Sequence, residues 1–310
     1  MFLNPNLKRR DFIGGLSAAI ACAGCSPSKS SVPFISRERL GVCSWSYQKP
    51  LDVVAAEMKK IGLKNIHLAL QPFLDGDERH GAAESKEAQK AAVARIKSGE
   101  WIVTSTMLSF SHEDYTTPAT IRKTGGIVPD EQWDSIKKTI PRAAALTAEW
   151  KVPFMSMHAG FLDESNKAAF DKFVERLTWI RDTCKSFGVK LTLESGQETA
   201  EDLAHFMSHV DGIGINFDPA NMLLYGKGDP IKAIPVLAKW MDHIHIKDAK
   251  APLKADEWGE ELPWGDGTVN PNQFFAELEK VGYKGAFAIE REGGNNRTGD
   301  IALAAKRILG

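Results

Sequence analysis

Four side chains able to bind a metal each close or end a short apolar run. Glu194 ends KLTLE, Asp218 ends GINFD, His245 lies in HIHIK and Glu290 ends GAFAIE. Taken singly, each reads as a helix cap or a loop-edge acid. Brought to one point, three carboxylates and one imidazole form an oxygen-rich divalent-cation site, suited to Mn²⁺, Mg²⁺ or Co²⁺ and not excluding Zn²⁺. Buried carboxylates repel one another, and a cation is the simplest neutraliser.

Such a site needs elements that bring distant residues together. From about residue 37 the chain alternates short apolar runs with longer amphipathic stretches. RLGVCSW precedes LDVVAAEMKKIG, and NIHLAL precedes an Ala-rich stretch. WIVTSTM leads to EQWDSIKKTIPRAAALTAEW, and PFMSMH to AFDKFVERLTWIRDTCKSFG. VKLTLE, GINFD, MDHIHIK and GAFAIE each precede a further helical pattern. Eight strand–helix units over about 270 residues predict an α/β fold, a single (β/α)8 TIM barrel, whose strand C-termini converge on one mouth. Gly62, Gly188 and Gly282 punctuate helix ends before strands. Residues 71–92 and 108–130 are long connections that would overhang the mouth as candidate lids, the second with a Gly125-Gly126 pair.

Side chains alternate across a strand, so parity assigns faces. The isoleucines of HIHIK oppose His245 and Lys247, the leucines of LTLE oppose Glu194, and the large apolar pair of FAIE opposes Glu290. Met155 and Met157 oppose His158, and Ile215 and Phe217 oppose Asp218. Five strands thus turn bulky apolar groups toward the helices and polar groups inward.

The remaining composition is ordinary, at 43% apolar and 25% charged with a net charge of −1, and offers no electrostatic footprint for nucleic acid. At the N-terminus Lys8-Arg9-Arg10-Asp11-Phe12-Ile13 precedes a small apolar run, the order of a twin-arginine export signal. Cys22-Ala23-Gly24-Cys25 resembles a lipoprotein cleavage box, although Cys22 stands where Leu is usual. The expected organisation is a signal over 1–25, a flexible tether over 26–36 and a barrel over 37–310. The mature protein would be periplasmic, touching the membrane only through lipid on Cys25. Cys43 and Cys184 would remain as buried thiols.

The four strand-end residues, with LESG, FDPANM, HIHIKD and the WGDG turn, resemble the xylose isomerase-like family of sugar isomerases and epimerases. The resemblance spans about residues 40–309. It implies metal ligands at Glu194, Asp218, His245 and Glu290, on the fifth to eighth strands. It further implies that Glu194 and Glu290 serve as acid and base around an enediolate, with their order left open. His158 would hydrogen-bond substrate or share the proton traffic. Departures are Asn221 where epimerases often carry His, and His67 where many members carry Glu. Lys247 and Lys250 lie near the place of an Arg that is not evident here. The extra His and Asp ligands of the family's apurinic endonucleases are not matched.

Substrate contacts are accordingly expected from His158, Asn221, Lys247, His67 and Trp45, with Trp45 and Tyr47 able to stack on a sugar or pack at the rim. Lys247 would meet substrate or an ion-pair partner such as Asp248, while Arg291 faces outward. His80, His112, His205 and His209 are expected to be solvated. The leading function is a metal-dependent sugar isomerase or epimerase acting on a small carbohydrate. A lyase or dehydratase on a keto-sugar, 3-keto-glycoside or inosose is the runner-up, and a non-catalytic carbohydrate-binding lipoprotein is a third reading. The resemblance also raises a homo-oligomer, for which the sequence carries no interface signature.

Overall fold

The computed structural model describes residues 34–74, 85–254 and 256–310. The export signal, the cleavage box, most of the tether and His80 lie outside the described residues. The compact body runs from Phe34 to Gly310. Ile35 is buried and the Phe34 ring meets Phe287 at 6.1 Å, so this end of the expected tether packs on the barrel.

Eight parallel strands close the barrel: β1 (Leu40–Cys43), β2 (Asn65–Ala69), β3 (Ile102–Leu108), β4 (Phe154–Met157), β5 (Lys190–Glu194), β6 (Gly214–Phe217), β7 (Met241–Ile246) and β10 (Ala286–Ile289). Their order around the barrel is β1-β10-β7-β6-β5-β4-β3-β2. Between β7 and β10 a two-stranded antiparallel sheet, β8 (Asp248–Lys250) with β9 (Glu260–Leu262), stands apart from the barrel. Every long helical pattern read from the sequence forms a helix, including α1 (Leu51–Ile61) and α5 (Lys167–Ser186).

Parity sorts the layers as expected. Leu191, Leu193, Ile215, Phe217, Ile244, Ile246, Phe287 and Ile289 all join the core beneath the helices. The inner faces are small or polar and bond to one another. Ser156 Oγ lies 2.9 Å from Ser105 Oγ and 2.7 Å from Thr192 Oγ1. His243 Nδ1 lies 2.9 Å from Asn216 Oδ1 and its Nε2 lies 3.0 Å from Thr104 Oγ1. A buried polar interior is tolerable when its groups find such partners.

The connection after β3 is packed rather than open. It holds α3 (Pro118–Thr124), capped reciprocally by Thr117 and Thr120. Gly126 N donates to Glu113 Oε1 at 3.0 Å, and Ile127 N donates to Ala159 O at 3.0 Å. A Cβ on Gly126 would stand 2.1 Å from the Ala159 carbonyl carbon, and its φ is +54°. The glycine pair therefore permits close backbone approach of this connection to the one after β4.

Candidate metal centre

Each of the four strand-end residues reaches the mouth from its own element. Glu194 ends β5 and Glu290 follows β10. His245 sits on β7, and Asp218 links β6 to α7 (Pro219–Leu224). One ligand atom from each lies within 4.8 Å of all the others. Their side chains are at most 2% exposed. His245 Nδ1 faces the acids, at 3.2 Å from Glu290 Oε2, 3.4 Å from Asp218 Oδ2 and 3.5 Å from Glu194 Oε1.

Two of the carboxylates have one oxygen held by the protein and the other turned to the centre. Asp218 Oδ1 caps α7 by accepting from the amides of Ala220 and Asn221 at 2.8 and 3.0 Å. Glu290 Oε1 accepts from Trp45 Nε1 at 2.7 Å. Among the described residues, the inward atoms Asp218 Oδ2 and His245 Nδ1 are buried without a partner in hydrogen-bond geometry, and Glu290 Oε2 meets only the Lys247 ammonium as an ion pair. Glu194 is supported by Asn221 Nδ2 at 3.0 Å and Asn216 Nδ2 at 3.4 Å. Buried polar atoms of this kind, converging as three carboxylates and an imidazole, fit a divalent cation.

The imidazole is oriented from behind. His245 Nε2 lies 3.0 Å from His67 Nδ1 and 3.1 Å from Asn216 Nδ2. Asn216 uses Oδ1 toward His243, so it offers His245 an amide donor and no acceptor. With Nδ1 serving a metal, the Nε2 proton goes to His67 Nδ1. Burial first, then the neighbouring histidines, holds His67 well below its ordinary pKa and keeps it able to accept.

Lys247 is 2% exposed and sits 2.8 Å from Glu290 Oε2, 2.7 Å from Glu292 Oε2 and 3.7 Å from Asp218 Oδ2. Burial opposes its charge, but Glu290 and Glu292 outweigh that and hold the ammonium well above its usual range. Its acidic neighbours do not include Asp248, which accepts backbone amides of Ala249, Gly265, Gly267 and Val269 and so builds the WGDG turn. Arg291 points away from the centre, to Glu261 and Asp300 at 2.8 and 2.9 Å.

A cavity of about 710 Å³ opens above the cluster, with Trp45, His158, Asn221, Lys247 and Glu290 in its wall. His158 Nε2 stands 3.5 Å from Glu194 Oε1. His67 is fully buried, lies behind His245 and takes no part in this wall. Tyr47 is buried in the core and likewise does not line it. His112, expected in solvent, does line the cavity, with Nε2 2.9 Å from Gly126 O. His205, on the helix Ala200–Met207, and His209, in the turn after it, are exposed. Cys43 and Cys184 are free and buried, and burial pushes both thiols up to about 12. The supporting pair Asn216 and His243 was not singled out from sequence, although both have the inward parity of their strands. Glu113, Tyr225 and Glu292 come from loops, where no periodicity marks them.

Residues 56–309 match the model of the xylose isomerase-like TIM barrel family. The chain belongs to that family. Among curated proteins it is 27% identical over 153 residues to the rhizopine catabolism protein MocC of Rhizobium meliloti. That match takes in 44% of this chain and 46% of MocC, so the chain spans about half the length of this relative. A xylose isomerase domain protein from Planctomyces limnophilus is 28% identical, with a TM-score of 0.75 over 87% of this chain and 95% of that one. A D-tagatose 3-epimerase-like protein superposes at a TM-score of 0.65 and 20% identity, covering 87% and 95%. The probable 3-DHS dehydratase AsbF of Bacillus anthracis gives 0.64 and 16%, covering 86% and 97%. For these last two the likeness is one of fold.

Proposed function

We propose that the chain is a metal-dependent enzyme that moves a proton at the carbon next to a sugar carbonyl, as an isomerase or epimerase of unphosphorylated carbohydrates. Glu290 carries this reading: Trp45 holds one oxygen, the other enters the ligand cluster, and the side chain borders the cavity. A divalent ion held by Glu194, Asp218, His245 and Glu290 would polarise the carbonyl and acidify the adjacent C–H. The glutamates supply the acid–base chemistry. One takes the proton from carbon, leaving an enediolate, and the other returns a proton. Return to the opposite face inverts the centre. His158, Asn221 and Lys247 stand where they can hydrogen-bond the substrate hydroxyls, and Trp45 supplies an apolar wall.

The charges on the wall support a neutral substrate. Apart from the metal ligands, Glu113, Asp114 and Glu292 stand against Lys247 and Arg297, so the wall offers no excess of positive side chains to hold a phosphate. The twin-arginine pattern supports the same view, since an exported enzyme works away from most sugar phosphates. Lys247 favours one second reading. Its ammonium borders the cavity beside Glu290 and could protonate a hydroxyl or glycosidic oxygen leaving from the carbon β to the carbonyl. The enzyme would then be a lyase.

The test is incubation of the metal-loaded protein with ketoses and 3-keto-glycosides in D₂O. Deuterium at the carbon next to the carbonyl, without loss of water or aglycone, supports the isomerase or epimerase. Release of water or aglycone supports the lyase, and binding without either would sink both. Glu290→Gln should abolish exchange and keep the fold.

A further inference from the structure

A second cavity of about 600 Å³ opens beside the first, among loops that follow β4 and β5. Its size is that of a small-ligand pocket. One aromatic contact forms the ridge between the two. Phe161 of the second cavity meets Tyr225 of the first edge to face, with ring centroids 5.5 Å apart. Gln197 lines the second cavity and is 3% exposed; its side chain reaches toward the Tyr225 hydroxyl on the ridge, yet its Nε2 finds no partner in full hydrogen-bond geometry among the described residues. A buried amide donor of this kind is a cost that a ligand oxygen would remove.

The chemistry of the wall narrows the ligand. Of the four basic side chains, Lys172 and Arg176 pair with Asp130 outside this wall, which leaves Arg122 and Lys227 against Asp163, Glu164 and Asp202, so no net positive field favours an anion. Arg176 is already engaged by Asp130 and by the carbonyls of Ile127 and Val128. Glu198 and Lys227 also line the space. Burial pushes the Glu198 carboxyl up to about 7, so near neutral pH it can donate as well as accept. Alternating donors and acceptors beside an aromatic ring suit a ligand rich in hydroxyl groups.

We propose that this second cavity is a subsite for a further glycosyl unit, so that the substrate is a disaccharide or glycoside. Its reacting sugar lies over the metal centre and its second unit crosses the Phe161–Tyr225 ridge. The assignment rests on the reading of the first cavity as a sugar site.

The probes are fructose and three disaccharides that contain a ketose: lactulose, maltulose and isomaltulose. Deuterium exchange and calorimetric binding are measured on the metal-loaded wild type, Lys227→Ala and Gln197→Ala. The partly buried Lys227 provides a variant whose folding does not depend on replacing a buried amide. The expected result is that at least one disaccharide exceeds fructose by about tenfold or more in kcat/KM, through KM. Both variants erase that gain and leave fructose exchange unchanged. Equal kcat/KM for fructose and all three disaccharides overturns the subsite and leaves proton transfer standing. Variants that slow fructose and disaccharide alike also overturn it. Disaccharide binding that the variants abolish, without exchange of any sugar, supports the subsite and refutes proton transfer. Loss of both exchange and binding in the wild type refutes both.

Discussion

The Trp45 indole donates a 2.7 Å hydrogen bond to Glu290 Oε1 across 245 residues of sequence. The contact exists because β1 and β10 close the barrel in parallel, with Val42 opposite Ile289. It leaves Glu290 Oε2 as the oxygen turned to the cluster. Trp45→Phe keeps an aromatic wall and removes the donor. Deuterium exchange should fall by roughly 10–100-fold with circular dichroism unchanged. Exchange at the wild-type rate would remove this bond from the mechanism.

Lys247 is one of the cations beside the acids when no metal is bound. Lys247→Met should destabilise the metal-free protein by on the order of 3 kcal/mol, because carboxylates stay buried without their partner. Excess Mn²⁺ should restore much of that loss. Thermal melts with and without chelator read both effects, and equal melting shifts in the two conditions would contradict this role.

His67 is expected to work through His245. His67→Phe removes the acceptor for the Nε2 proton, and metal affinity measured by calorimetry should drop roughly 10–100-fold. His67→Gln, whose amide oxygen can accept, should recover part of the loss. Comparable affinity in all three proteins would reduce His67 to a packing residue.

Glu198 supplies a pH signature outside the metal cluster. Burial raises its carboxyl from 4.5 to about 7, so the fold prefers the neutral form. Stability from that preference is complete below pH 4.5 and is lost as pH rises through about 7. Glu198→Gln should therefore raise the melting temperature relative to wild type more at pH 8 than at pH 5. A larger gain at pH 5 would contradict the sign.

Strand–helix alternation was legible in the sequence because periods of two and 3.6 residues are local properties. Parity carried further, since Leu193 and Glu194, or Ile244 and His245, must face opposite ways whatever the strand pairs with. The connections were less legible. Gly125 and Gly126 suggest flexibility in isolation, and only the backbone of Ala159 and Gly160 packed against them reveals close approach. His112 faces the cavity for the same reason: its bond to Gly126 O depends on how that loop folds back.

By itself the sequence determined an alternating α/β barrel and the inward parity of Glu194, Asp218, His245 and Glu290. Tertiary structure decided what stands beside each of them: Trp45 at Glu290, Asn221 at Glu194, the α7 amides at Asp218 and His67 behind His245. Facing is set by the nearest neighbours along one strand. Lateral partners are set by barrel register and closure, which bring together residues from distant strands that no local pattern links.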